Sequence, residues 1–152
     1  MQKVRYFKLR ENAIDPQRSH DSDAGFDVFY CPKEPTEVTL YIQEKCKLAT
    51  GLKVEIPDGY YLEVKNRSGM AAEKGLLVGA CVIDPLYNGE LMINLHNVSG
   101  NAKQVIKPGS KIAQLILLPL PKCIWEESKI DDLNQGTKRG TSGFGSTGFG
   151  VS

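Results

Sequence analysis

Short apolar runs recur along this chain at close intervals, each closed by a cluster of turn-forming residues, and this spacing constrains the fold more than any other feature. The runs cover residues 4–9, 26–30, 38–42, 48–56, 60–64, 76–83, 91–95 and 112–118. Between them stand Pro57-Asp58-Gly59, Asn88-Gly89, Ser99-Gly100-Asn101 and Lys107-Pro108-Gly109, all turn-forming by composition. Regular short strands of this kind predict an all-β barrel or sandwich. Alternation is clearest where Leu91, Ile93 and Leu95 interleave with Met92, Asn94 and His96, and where Leu62 and Val64 interleave with Tyr61, Glu63 and Lys65. Asn88-Gly89 is the strongest hairpin signal, and residues 76–83 read as one continuous strand ending at Asp84. One short helix is expected from Gly69 to Lys74, with Ser68 placed to cap it and Gly75 to end it. From Asp131 onward apolar residues thin out and glycine rises, which predicts a domain over residues 1–130 and a flexible arm over 131–152.

A length of 152 residues suits one domain with a genuine core. Nineteen basic and eighteen acidic residues leave a formal charge of +1, so no bulk field favours a nucleic acid or an anionic membrane, and any phosphate binding must be local. No apolar run approaches bilayer length, and the start Met1-Gln2-Lys3-Val4-Arg5-Tyr6 lacks the apolar stretch of a signal peptide. The four cysteines, Cys31, Cys46, Cys81 and Cys123, are far apart with no Cys-x-x-Cys pair. They read as free thiols in a reducing, cytoplasmic setting rather than as a zinc cluster.

The carboxyl end runs Arg139-Gly140-Thr141-Ser142-Gly143-Phe144-Gly145-Ser146-Thr147-Gly148. Glycines let successive N–H groups turn onto an anion, hydroxyls add donors, and a guanidinium suits phosphate oxygens. Phe144, amid residues that bury nothing, is explained by stacking on a flat ligand, although composition alone also fits a disordered tail. Four more segments precede it: Asp23-Ala24-Gly25-Phe26-Asp27-Val28, Asn66-Arg67-Ser68-Gly69-Met70-Ala71, Val82-Ile83-Asp84-Pro85-Leu86-Tyr87-Asn88-Gly89, and Gly109-Ser110-Lys111-Ile112-Ala113-Gln114-Leu115-Ile116. In this order they resemble the five motifs of the trimeric dUTP pyrophosphatase (dUTPase) family.

The resemblance implies a jelly-roll-like β-barrel, a homotrimer with active sites shared between subunits, and hydrolysis of dUTP to dUMP and pyrophosphate with Mg2+. It casts Asp84, which local sequence alone reads as a turn opener, as the base orienting the water that attacks the α-phosphorus. Tyr87 becomes the wall under the deoxyribose, and main-chain groups near Cys81, Val82, Ile83 and Met92 meet the uracil edge. Arg67, Ser68, Gly69 and Gln114 fall to the phosphates, and Asp27 to the water network around magnesium. The arm residues Arg139, Phe144, Gly145, Ser146 and Thr147 close over the nucleotide of a neighbouring subunit. The chain departs from the family at Cys81, commonly glycine; at Pro85-Leu86, commonly an acidic or small pair; at Asp23, commonly alanine; and at Ser110, commonly an acid. Two other readings stay open: a dCTP deaminase of similar fold, separable by ammonia release, and a nucleotide-gated regulatory protein on the same scaffold.

Overall fold

The computed structural model describes residues 1–133 and Gly136; the arm residues Arg139, Phe144, Gly145, Ser146 and Thr147 lie outside the described residues. The chain divides into two compact units, Met1–Pro121 and Lys122–Ser152, so the division falls ahead of the boundary expected at residue 130. In the second unit, described residues 122–133 are exposed, with a single turn of 3-10 helix at Ile130–Asp132.

The first unit is all-β and jelly-roll-like. Its strands are β1 Arg5–Lys8, β2 Phe26–Phe29, β3 Val38–Leu40, β4 Lys45–Ala49, β5 Leu52–Glu55, β6 Tyr60–Lys65, β7 Leu76–Val78, β8 Val82–Ile83, β9 Met92–Asn97, β10 Gln104–Ile106 and β11 Lys111–Pro119. They pair antiparallel in four small sheets, ordered β1-β5, β10-β3, β2-β11-β6-β8 and β4-β9-β7. The expected alternation holds: along β9, Ile93, Leu95 and Asn97 are buried while Met92, Asn94 and His96 are not. The core gathers Val28, Leu40, Leu48, Leu52, Leu91, Ile93, Leu95, Ile112 and Ala113, each 2% exposed or less. Asn97 is fully buried among them. Its amide donates to the Leu40 and Ala102 carbonyls and its oxygen accepts from the Ser99 N–H and hydroxyl, so its burial leaves no polar group unpaired.

Three local expectations are corrected. Residues 76–83 do not form one strand: β7 pairs with β9, and β8 pairs with β6 in a different sheet. The break falls at Gly79-Ala80-Cys81, where a Cβ on Gly79 would collide with His96 and Asn94. The run 48–56 likewise splits at Gly51, whose φ of 73° turns the chain from β4 into β5. Asn88-Gly89 closes no hairpin, because β8 and β9 do not pair and neither residue adopts the positive φ of a type I′ turn. The tight turn lies earlier, where the Tyr87 N–H donates to the Asp84 carbonyl at 3.2 Å. Pro85 at its second position and Leu86 at φ 67° give it type II character, with leucine where glycine is usual.

The helix forms as α1, Ser68–Lys74, and ends at Gly75 in the left-handed region. Its N-cap is Arg67 rather than Ser68, and no side chain caps it, so Ser68 is the first helical residue.

Candidate active site

The sequence-derived residues fall into two described groups. The first lines a cleft of about 480 Å³ in the Met1–Pro121 unit, with Asp27 from β2, Arg67, Ser68 and Gly69 at the start of α1, and Gln114 from β11, joined there by Lys111 of the same strand. Register explains the meeting: Gln114 stands opposite Asp27 on one side and Lys65 on the other, so β11 carries its amide between the first and second motifs. Gln114 Nε2 donates to the Asn66 carbonyl at 2.8 Å, and Asn66 Oδ1 accepts the Val78 N–H at 2.6 Å. A Cβ on Gly25 would lie 2.6 Å from Gln114 Oε1, so a side chain there would push the amide from its place.

Asp27 is the electrostatic centre of this cleft. Its side chain is 13% exposed, with Oδ1 2.8 Å from Arg67 Nε and Oδ2 2.8 Å from Lys111 Nζ. Two cations on one carboxylate leave a net positive charge of one, and the aspartate fixes both in place. Arg67 engages Asp27 through Nε, and among the described residues its two terminal nitrogens make no hydrogen bond. The N–H groups of Ser68, Gly69 and Met70 precede the first intrahelical bond, Ala71 N–H to Arg67 O at 3.0 Å, and no acidic residue occupies the first turn. Asp23, Glu73 and Lys74 also line the cleft, so its charged groups balance overall, and it is the Arg67–Asp27–Lys111 cluster with the N–H groups opening α1 that offers the local positive charge and donors suited to a phosphate.

Sequence reasoning missed Lys111. Its fourth-motif position was in view, but a lysine on a strand carries no signal until its partner is known, and Asp27 lies far away in the chain. A bulge between Lys111 and Ala113 shifts the register of β11 against β2 at the point where Lys111 reaches Asp27.

The second group lies apart from this cleft. Asp84 is exposed and lines a smaller cleft of about 390 Å³ with Tyr61, Val82, Pro85 and the 119–121 segment. Tyr87 borders another opening, formed with Lys53, Ile56 and Leu86, and its hydroxyl donates to the Glu90 carbonyl at 3.0 Å. Strand β8 lies at the end of its sheet, so one main-chain edge of Val82 and Ile83 is unpaired within the sheets described. Met92 faces Ala49 on β4, whereas β7 pairs with β9 only from Leu95 onward. The carbonyl of Cys81 accepts the Val64 N–H at 2.8 Å, and its sulfur lies 3.7 Å from the Gly79 carbonyl oxygen.

Burial raises the Cys31 and Cys46 thiols above their usual range, whereas Cys81 and Cys123 are exposed. At mildly alkaline pH a raised pKa keeps Cys31 and Cys46 as unreactive thiols. Mass spectrometry after brief alkylation is therefore expected to find label on Cys81 and Cys123 well before Cys31 and Cys46, with activity largely retained. Rapid inactivation prevented by bound nucleotide would instead put the Cys81 thiol in the uracil pocket.

A model of the dUTPase family matches residues 11–148. The chain is 38% identical over 141 residues to a deoxyuridine 5'-triphosphate nucleotidohydrolase of Oryza sativa subsp. japonica, covering 93% of this chain and 78% of the relative. It is 37% identical to the enzyme of the same name from Tropheryma whipplei (strain Twist), covering 92% of each. Among solved structures, Staphylococcus bacteriophage 80alpha dUTPase with dUPNHPP superposes with a TM-score of 0.76 at 28% identity, covering 97% of this chain and 99% of that one. A variant of the dUTPase from phage phi11 of S. aureus, described with a structural Mg(II) ion, gives a TM-score of 0.71 at 28% identity, covering 84% and 97%. With five ordered motifs, the matching fold and the family match over nearly the whole sequence, this chain belongs to the dUTPase family.

Proposed function

We propose that this dUTPase-family enzyme hydrolyses dUTP to dUMP and pyrophosphate at sites assembled between the subunits of a homotrimer. The observation that carries the shared site is the separation within one chain of the phosphate-suited cleft at Asp27, Arg67, Ser68, Lys111 and Gln114 from the turn bearing Asp84 and Tyr87. Each subunit then offers its cleft to the triphosphate and its turn to a neighbour's nucleoside.

Asp84 accepts a proton from water as the water oxygen bonds to the α-phosphorus, and the bond from that phosphorus to the bridging oxygen breaks to release pyrophosphate. Such transfers ask for positioning and charge neutralisation more than covalent help. Arg67, Lys111, the amide of Gln114 and the N–H groups of Ser68 and Gly69 supply these to the phosphates. Main-chain groups around Cys81, Val82, Ile83 and Met92 read the uracil edge. Arg139, Phe144, Gly145, Ser146 and Thr147 complete the site from the arm.

Among the described residues no cluster of three or more His, Cys, Asp or Glu could hold a metal alone. Asp27 uses one lone-pair site on each oxygen for its cation partners, so it retains capacity for hydrogen bonds from metal-bound water. It fits Mg2+ carried mainly by the triphosphate, where the ion neutralises phosphate charge. The activity would lower dUTP and supply dUMP for dTMP synthesis. Cys31, Cys46, Cys81 and Cys123 are all free thiols, which fits a cytoplasmic enzyme. Among the described residues no helix is long and apolar enough to cross a membrane.

The sugar wall gives the direct test of this arrangement. Wild type is expected to favour dUTP over UTP strongly in kcat/KM, and Tyr87→Ala to narrow the gap. Equal handling of both nucleotides by wild type would overturn the assignment of Tyr87.

A further inference from the structure

The turn carrying Asp84 and Tyr87 is exposed, yet its far end is fastened to the core through Glu90. The Glu90 side chain is 25% exposed and forms an ion pair with Arg10, itself 18% exposed. Glu90 Oε1 also accepts the Gly51 N–H at 2.8 Å, and Arg10 Nε donates to the Cys31 carbonyl at 2.9 Å. The next residue is held as firmly: the Leu91 N–H donates to the Leu52 carbonyl at 2.7 Å, and the Leu91 carbonyl accepts the Thr50 hydroxyl at 2.7 Å. These bonds converge on the corner at Gly51, where a Cβ would lie 2.7 Å from that of Ala13. The corner therefore has little room to move.

The Tyr87 main chain closes the turn on the Asp84 carbonyl, but its ring is attached to this anchor. Its hydroxyl donates to the main-chain carbonyl of Glu90, so ring tip and clamped side chain belong to neighbouring ends of one short segment. Its ring lies against Gly89, where a Cβ would sit 2.6 Å from Cζ. A displacement of Glu90 thus moves the hydrogen-bond acceptor that fixes the ring. A partly buried ion pair also makes an effective clamp, because breaking one end leaves the other charge poorly solvated.

We propose that Glu90, held by Arg10, is a positioning residue for Tyr87 and sets how strictly the sugar pocket rejects a ribonucleotide. This rests on the reading of Tyr87 as the sugar wall. The consequence is specific to discrimination: a looser ring leaves space for a 2′-hydroxyl, so the change appears chiefly as a lower KM for UTP.

The test measures kcat and KM for dUTP and UTP with full-length wild type, Glu90→Gln, Tyr87→Phe, the double variant, Arg10→Lys and Tyr87→Ala, alongside thermal melts. Glu90→Gln and Tyr87→Phe are each expected to reduce the dUTP-to-UTP ratio of kcat/KM about tenfold, a scale reached by small misplacements. Because both act through one path, the double variant should lose no more than the larger single loss. Arg10→Lys keeps the charge but not the forked geometry and should fall between wild type and Glu90→Gln. A ratio unchanged in a folded Glu90→Gln, or losses that multiply in the double variant, would overturn the proposal. Should Glu90→Gln fail to fold, an unchanged ratio in Tyr87→Phe overturns it on its own. If Tyr87→Ala leaves the ratio intact, the sugar-wall reading itself fails; if Tyr87→Ala abolishes discrimination while Glu90→Gln keeps it, only the role of Glu90 fails.

Discussion

Asp84→Asn is expected to bind dUTP with near-normal affinity yet turn it over at least ~10²-fold more slowly, the scale associated with losing a positioned base. The substitution keeps size and leaves the turn intact, because the bond that closes it runs from the Tyr87 N–H to the Asp84 main-chain carbonyl. Folding should hardly change, since Asp84 is exposed and makes no ion pair among the described residues. Single-turnover and equilibrium binding measurements separate the two effects. Near-normal turnover would remove Asp84 from the chemistry and return it to the role of turn opener.

Truncation before Lys138 is expected to abolish most activity while the protein stays folded. Among the described residues the buried core runs from Ala13 to Leu115, within the first unit and ahead of the cut. What the cut removes is Arg139, the ring of Phe144 and the hydroxyls of Ser146 and Thr147. Stacking of a base on an aromatic ring is worth roughly 1–3 kcal/mol, and the guanidinium adds charge on the outer phosphates. Mixing the truncated protein with full-length Asp84→Asn subunits should restore part of the activity, because a mixed trimer can join an intact Asp84 to a neighbour's intact arm. No recovery, with subunit exchange demonstrated by mass, would mean that the arm serves its own subunit.

The sequence made the strands of the core legible where one face alone is buried. β9 and β6 alternate cleanly, and Gly75 ends α1 because a left-handed residue is required there. It was less legible where an apolar run is continuous for two separate reasons. Leu76 and Ile83 are both buried in the one core but belong to different sheets, and nothing in the run marks the exchange except Gly79. Asn88-Gly89 carried a strong local preference that tertiary pairing overrode, as β8 joined β6 and β9 joined β4 and β7. The turn that did form uses Leu86 in a left-handed conformation, a choice no propensity predicts.

The phosphate-suited cleft was legible only through the order of the motifs. Each residue has a plain local explanation: Ser68 opens a helix, Gln114 sits on a strand, Asp27 follows a glycine and an aromatic ring. Pairing of β2 with β11, and the placement of α1 after β6, bring them together, and these are long-range facts. Lys111 and the Arg10–Glu90 pair went unseen for the same reason, since a charge has meaning only beside its partner.

The central claim is dUTP hydrolysis, and pyrophosphate release by the full-length protein across dUTP, UTP, dTTP and dCTP with Mg2+ tests it most directly. Release from dUTP far above that from the other three is the predicted result. Comparable release from all four, or none from dUTP with ammonia liberated from dCTP, would contradict it.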